Sequence, residues 1–132
     1  MIRTGLVAIL LAACATSETW VAGAPPELAG QTWIRTDDEQ AAPHPATLRF
    51  DDARITGHAG CNRFFADVAH AGARLRIGAI GATRMMCPPP AMATERSLFA
   101  ALERASAYRR DDGALTLLDA NGATVARFTR SD

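Results

Sequence analysis

Apolar and polar residues alternate over several short stretches of the chain, which is the pattern of half-buried β-strands. The alternation is clearest at residues 47–51 and 54–58, and an Asp51-Asp52 turn signal separates these two stretches, so they are predicted to form a hairpin. Further strands are predicted at residues 62–68, 74–77, 80–83, around Tyr108, at 114–118 and at 124–129. The last three strands are separated by DDG and DANG turns, which favours a meander.

One segment, residues 90–107, follows a helical period instead, and three consecutive prolines at 88–90 end the preceding element. Apolar residues at spacings of three and four predict a stripe that faces the core, formed by Met92, Leu98, Phe99 and Leu102. Glu95 lies on the same stripe, and a buried carboxylate needs a partner. We therefore predict that Glu95 points into the domain and pairs with Arg63, with Arg84 as the second candidate.

The order of these elements predicts the fold class. Several hairpins, one helix and a final meander favour a mainly β (α+β) fold, an antiparallel sheet with a single packed helix. No alternation of strands with helices supports a parallel sheet. A domain of this size buries only somewhat more than ~60% of its unfolded surface, so a covalent crosslink would be useful to it.

The N-terminal segment carries an export pattern. Residues 6–13 are an unbroken apolar run after Arg3, which fits the core of a signal peptide, since a membrane-spanning helix needs ~20 apolar residues. The run ends in LAAC at 11–14, which resembles a bacterial lipobox and implies cleavage before Cys14 and lipidation of that residue. The alternative is a secretory signal with a coincidental cysteine, or a mis-chosen start codon.

The expected domain organisation follows from this pattern. Residues 1–13 are interpreted as a lipoprotein signal peptide, residues 14–27 as a tether and residues 28–132 as one folded domain. The stretch 15–29 mixes Ser, Thr, Pro and Gly with little periodicity, as tethers do. Ala15 stands where an Asp would favour retention in the inner membrane, so the resemblance implies the periplasmic face of the outer membrane.

Composition and charge exclude several classes of function. The chain is 48% hydrophobic and has a formal net charge of zero, which excludes a disordered chain and leaves no basic footprint for nucleic acid. Every basic residue apart from His is Arg, so a Walker-A phosphate loop and a Schiff-base lysine are excluded. Paired acidic residues lie among turn residues and are interpreted as solvated loops, so no metal site and no cofactor is predicted.

Three segments carry a family resemblance: LAGQTW at 28–33, GHAGCNRF at 57–64, and IGATRMMCP at 80–88 directly before the helix. In this order and spacing they resemble the META (HslJ-like) domain family. The resemblance implies a compact, barrel-like antiparallel sheet with one helix, often carried by bacterial envelope lipoproteins. It also implies a link to heat shock, envelope stress and drug tolerance, without a known reaction.

Cys61 and Cys87 are the only cysteines besides Cys14. In an exported protein such a pair favours a disulfide. The alternatives are two free buried thiols, or a metal site or thiol nucleophile that uses His58 or His70. The Cys and His residues lack the paired spacings of structural zinc sites, which disfavours the metal.

The turn and loop residues around these cysteines have two interpretations. They serve the fold, or they form a small polar cluster that binds a ligand; the residues concerned are Asn62, Arg63, Thr83, Arg84 and Glu95. We expect a non-enzymatic protein, anchored to the membrane through Cys14, that binds an envelope protein or a small ligand. The alternatives are a thiol-dependent envelope enzyme and a small inhibitor or chaperone-like module.

Overall fold

The computed structural model describes residues 18–39 and 44–131, so the predicted signal peptide and Cys14 lie outside the described residues. The elements of the described part are ten strands and one helix. In chain order they are β1 (Val21–Ala22), β2 (Thr32–Arg35), β3 (Thr47–Phe50), β4 (Arg54–His58), β5 (Arg63–Ala71), β6 (Arg74–Ile77), β7 (Gly81–Ala82), α1 (Pro89–Arg104), β8 (Ala107–Asp111), β9 (Ala114–Leu118) and β10 (Thr124–Arg130). Within this part of the chain, no helix is both long and apolar enough to cross a membrane.

The strands form one sheet that closes on itself. Their order is β1-β5-β4-β3-β2-β10-β9-β8-β6, and β6 also pairs with β5, which completes a ring. Every pairing between these strands is antiparallel. The predicted fold class, an antiparallel barrel-like sheet with one helix, is therefore confirmed. Closure leaves few free strand edges, which protects a small β domain from pairing with other chains.

The alternation of inward and outward side chains along the strands determines which residues fill the interior of the closed sheet. On β5, Phe64, Ala66 and Val68 are buried, while Phe65 and Asp67 face outward. Inward-facing residues of the other strands complete a single core. Its largest fully buried side chains include Trp33, Phe50, Phe128, Leu48 and Ile55.

The helix packs on this core through the apolar stripe that the sequence predicts. Leu98 and Leu102 are fully buried, and Phe99 packs edge-on against Phe64 of β5 with ring centroids 5.7 Å apart. The helix ends at Arg104, three residues before the predicted end. Ala105 has extended backbone angles (φ −66°, ψ 128°), because the chain must turn there to enter β8.

The predicted tether requires a correction. Val21 and Ala22 pair with β5 as strand β1, and Pro25 is fully buried. The Trp20 ring lies 3.8 Å from the guanidinium carbon of Arg76. Residues 18–27 therefore pack on the domain. A strand of two residues is too short to leave an alternation in the sequence, so composition alone suggested a linker.

Candidate functional site

A disulfide joins Cys61 to Cys87, with their Cα atoms 5.8 Å apart, which confirms the predicted pairing. Cys61 lies in the turn between β4 and β5, and Cys87 lies two residues before the start of α1. The bond therefore fastens the segment that enters the helix to the adjacent hairpin. Because the two sulfurs are bonded to each other, neither can act as a thiolate nucleophile or a metal ligand in this form.

The side chain of Asn62 makes hydrogen bonds to the segment that precedes the helix. Its side-chain Oδ1 accepts hydrogen bonds from the backbone N–H of Met85 at 2.7 Å and from the hydroxyl of Thr83 at 2.9 Å. Its Nδ2 donates to the backbone carbonyl of Met85 at 3.1 Å. The Asn62 side chain is only 2% exposed. One amide thus pairs with both backbone groups of Met85, as a neighbouring strand would.

Glu95 points into the domain, and at 8% exposure it is buried as its position on the stripe predicts. Its Oε1 accepts a hydrogen bond from the backbone N–H of Asn62 at 3.0 Å. The predicted partners are wrong: the side chains of Arg63 and Arg84 are both exposed. Phe64 faces the core, so the alternation of β5 directs Arg63 to the outside.

The structure therefore divides the predicted polar cluster into two groups. Glu95, Asn62 and Thr83 form a continuous hydrogen-bonded chain that connects α1, the β4–β5 turn and the segment before the helix. Arg63 and Arg84 lie outside this chain. The polar atoms of this hydrogen-bonded chain pair with one another and with backbone groups. The chain of hydrogen bonds therefore stabilises the fold and positions the segment before the helix.

The two histidines considered above as thiol or metal partners, His58 and His70, also pair with the backbone. His58 Nδ1 accepts a hydrogen bond from the N–H of Gly60 at 3.2 Å, within the β4–β5 turn. His70 Nδ1 lies 2.9 Å from the carbonyl oxygen of Gly23, and because a carbonyl only accepts, the imidazole N–H donates this bond. Among the described residues, no group of three or more His, Cys, Asp and Glu could hold a metal ion.

Residues 83–88, which we call the methionine loop, present apolar side chains to solvent. Met85 is 56% exposed and Met86 is 88% exposed. Asn62 holds the loop at its centre and the disulfide holds it at Cys87. The loop thus presents two adjacent exposed methionines on a backbone fixed at two points, and contiguous exposed apolar surface is a feature of interaction sites.

Two buried side chains, Arg35 and Tyr108, make polar contacts that were not predicted from the sequence. Arg35 is buried on β2, and it donates hydrogen bonds to Ser97 Oγ on α1 at 2.8 Å and to Asp37 Oδ1 at 3.0 Å. The hydroxyl of Tyr108 donates to the carboxylate of Glu27, and burial together with this hydrogen bond raises the pKa of Tyr108. Arg35 lies two residues after the buried Trp33 on β2, so the alternation of the strand places Arg35 on the inward face. No local sequence signal pairs Glu27 with Tyr108.

We expect Glu95→Ala to lower the free energy of unfolding by about 1–3 kcal/mol, because it leaves the buried N–H of Asn62 without its acceptor. Glu95→Gln should cost less, since the amide keeps a carbonyl oxygen. Urea unfolding measures both variants, and Glu103→Ala is the matched control. Glu103 is exposed on the same helix, so its removal should change stability by less than about 0.5 kcal/mol. Equal effects at positions 95 and 103 would contradict the assigned hydrogen bond.

Comparisons with known proteins agree with this fold. A family model described as META domain matches residues 18–132. A solved NMR structure from Burkholderia xenovorans is 25% identical, with a TM-score of 0.61, and the alignment covers 89% of this chain and 96% of that one. Another NMR structure is 20% identical, also with a TM-score of 0.61, over 78% of this chain and 91% of that one. No curated protein gives a significant match.

Proposed function

The chain belongs to the META domain family, and from that premise we propose that it is a non-enzymatic, lipid-anchored envelope protein that binds a partner protein through the methionine loop. The observation that carries this proposal is the exposure of Met85 and Met86 on a loop whose backbone is fixed by Asn62. The link to envelope or heat stress and to drug tolerance, which the family resemblance implies, is part of the same proposal.

The chemistry of the loop favours a protein partner. Methionine is flexible and polarisable, so its side chain adapts to irregular apolar surfaces and recurs at binding surfaces of broad specificity. The backbone is already ordered by the disulfide and by Asn62, so little conformational entropy is lost when the loop is bound. A fixed backbone with adaptable side chains is therefore suited to docking on a shallow apolar patch of another protein.

The proposed lipid anchor on Cys14 would restrict the protein to partners that lie within reach of the membrane. Lipidation of Cys14 would add several acyl chains, each contributing ~0.8 kcal/mol per buried CH₂, which is enough for stable attachment. We expect labelled palmitate to enter the wild-type protein and to be absent from Cys14→Ser. Membrane fractionation of the same cells should show the Ser variant released. Retention of an unlabelled Ser variant at the wild-type level would contradict lipidation as the anchor.

Photo-crosslinking in whole cells tests the proposed docking surface. A photoreactive phenylalanine analogue at position 86 should give a discrete adduct, and Met85→Ser in the same chain should reduce that adduct strongly. The control site is Ala120, an exposed position in the turn between β9 and β10. Identical adducts from positions 86 and 120, or an adduct at 86 that Met85→Ser leaves unchanged, would refute the methionine loop as the binding surface.

A further inference from the structure

A second surface with binding chemistry lies on the outside of the sheet, away from the core. Along β4 and β5 the outward residues pair across the strands: Thr56 stands opposite Phe65, and His58 stands opposite Arg63. A groove of about 510 Å³ runs over these positions. We call it the β4–β5 groove; it is lined by Arg54, Thr56, His58, Arg63 and Phe65.

The aromatic ring in this groove is exposed but held in one place. Phe65 is 46% exposed. The guanidinium carbon of Arg54 lies 5.0 Å from the ring centroid. The ring also packs so closely on Gly81 of β7 that a Cβ there would lie 2.5 Å from Phe65 Cζ. These two contacts fix the orientation of an apolar surface that solvent still reaches.

Two hydrogen-bond donors stand beside this ring. His58 Nδ1 accepts from the N–H of Gly60, so in the neutral imidazole the proton is on Nε2, which is left as a donor. Among the described residues, no ion pair or hydrogen bond engages the Arg63 guanidinium. Because His58 and Arg63 are directly opposite across the strands, their side chains start within about 5 Å of each other.

The acidic residues nearby do not cancel this positive charge. Asp67 pairs with Arg54 at 3.3 Å, and Asp51 pairs with Arg49 at 2.9 Å. Asp51 Oδ2 also accepts a hydrogen bond from the hydroxyl of Thr56 at 3.2 Å. Each carboxylate thus has its own arginine, and Arg63 remains as the uncompensated cation of the groove.

We propose that the β4–β5 groove binds a small organic anion with a flat aromatic body. Its carboxylate or sulfonate would accept hydrogen bonds from Arg63 and His58, and its ring would lie along Phe65. Arginine suits this role because its planar fork presents two parallel N–H groups to a carboxylate. A groove of this volume lies within the range of small-molecule sites. The proposal is independent of the methionine loop, since it uses other side chains.

Binding of 2-naphthoate, followed by calorimetry and by amide NMR shifts, tests this site. We expect shifts concentrated on β4 and β5, and at least tenfold weaker binding to Arg63→Gln. The matched control is Arg109→Gln, because Arg109 is also an exposed strand arginine but lies on β8 and pairs with Asp111. Its affinity should equal that of the wild type. Both substituted side chains are exposed, so both variants are expected to fold.

The neutral analogue 2-naphthylmethanol separates charge recognition from apolar binding. It should bind the wild type more weakly than 2-naphthoate and should not distinguish wild type from Arg63→Gln. Phe65→Ala should weaken both compounds, since it removes the apolar surface they share. The proposal is overturned if Arg63→Gln and Arg109→Gln bind 2-naphthoate equally, if the alcohol binds as tightly as the acid, or if the shifts lie outside β4 and β5.

Discussion

Reduction of the Cys61–Cys87 bond is expected to lower the free energy of unfolding by about 3–4 kcal/mol. The two cysteines are 26 positions apart, and opening a loop of that length releases this much chain entropy in the unfolded state. The loss is a large part of the total stability of a small domain, about 5–15 kcal/mol. Urea unfolding of the oxidised and reduced protein measures it.

A variant with both cysteines replaced by alanine controls for effects of the reductant itself. Its unfolding midpoint should match that of the reduced wild-type protein and should not respond to reductant. If the oxidised and reduced proteins unfold at the same urea concentration, the bond does not stabilise the domain as described. Complete alkylation of both cysteines in the native, non-reduced protein would show that the bond is absent.

Asn62→Ala is expected to lower the free energy of unfolding by about 3 kcal/mol. The substitution removes three hydrogen bonds, two to the backbone of Met85 and one to Thr83, each contributing about 1 kcal/mol. The surrounding positions are partly buried, so water replaces these bonds incompletely. Thermal and urea unfolding both measure the effect.

Asn121→Ala is the matched control for this substitution. Asn121 lies exposed in the turn between β9 and β10, so its removal should change stability by less than about 0.5 kcal/mol. Asn62→Ala should also reduce the crosslinked adduct at position 86, because the methionine loop loses its support. A stable Asn62→Ala protein that crosslinks normally would mean that the loop is held by other contacts.

Much of the fold could be predicted from local patterns. The strands Arg54–His58, Arg74–Ile77 and Ala114–Leu118 have the predicted bounds, because polar and apolar residues alternate there between clear turn signals. The inward face of the helix, including the buried position of Glu95, follows from its 3.6-residue period. Two cysteines in a chain with an export pattern were enough to favour the disulfide.

Apart from the disulfide, contacts between distant segments could not be predicted from the sequence patterns. Helical periodicity indicated that Glu95 is buried, but the choice between an arginine and a backbone N–H depends on how the β4–β5 turn is placed. That turn brings the N–H of Asn62 within 3.0 Å of the carboxylate, while β5 turns Arg63 away. Strand β1 was missed for a similar reason: its two residues are ordered by pairing with β5 and not by a local preference.

The central claim is that the buried polar chain holds the methionine loop in place, and amide hydrogen exchange at Met85 tests it most directly. Met85 lies in an exposed loop outside regular secondary structure, so without Asn62 its N–H should exchange quickly. We predict slow exchange of this amide in the wild type and fast exchange in Asn62→Ala, with the amides of β9 and β10 slow in both. Fast exchange at Met85 in the wild type, or equal rates in the two proteins, would contradict the account.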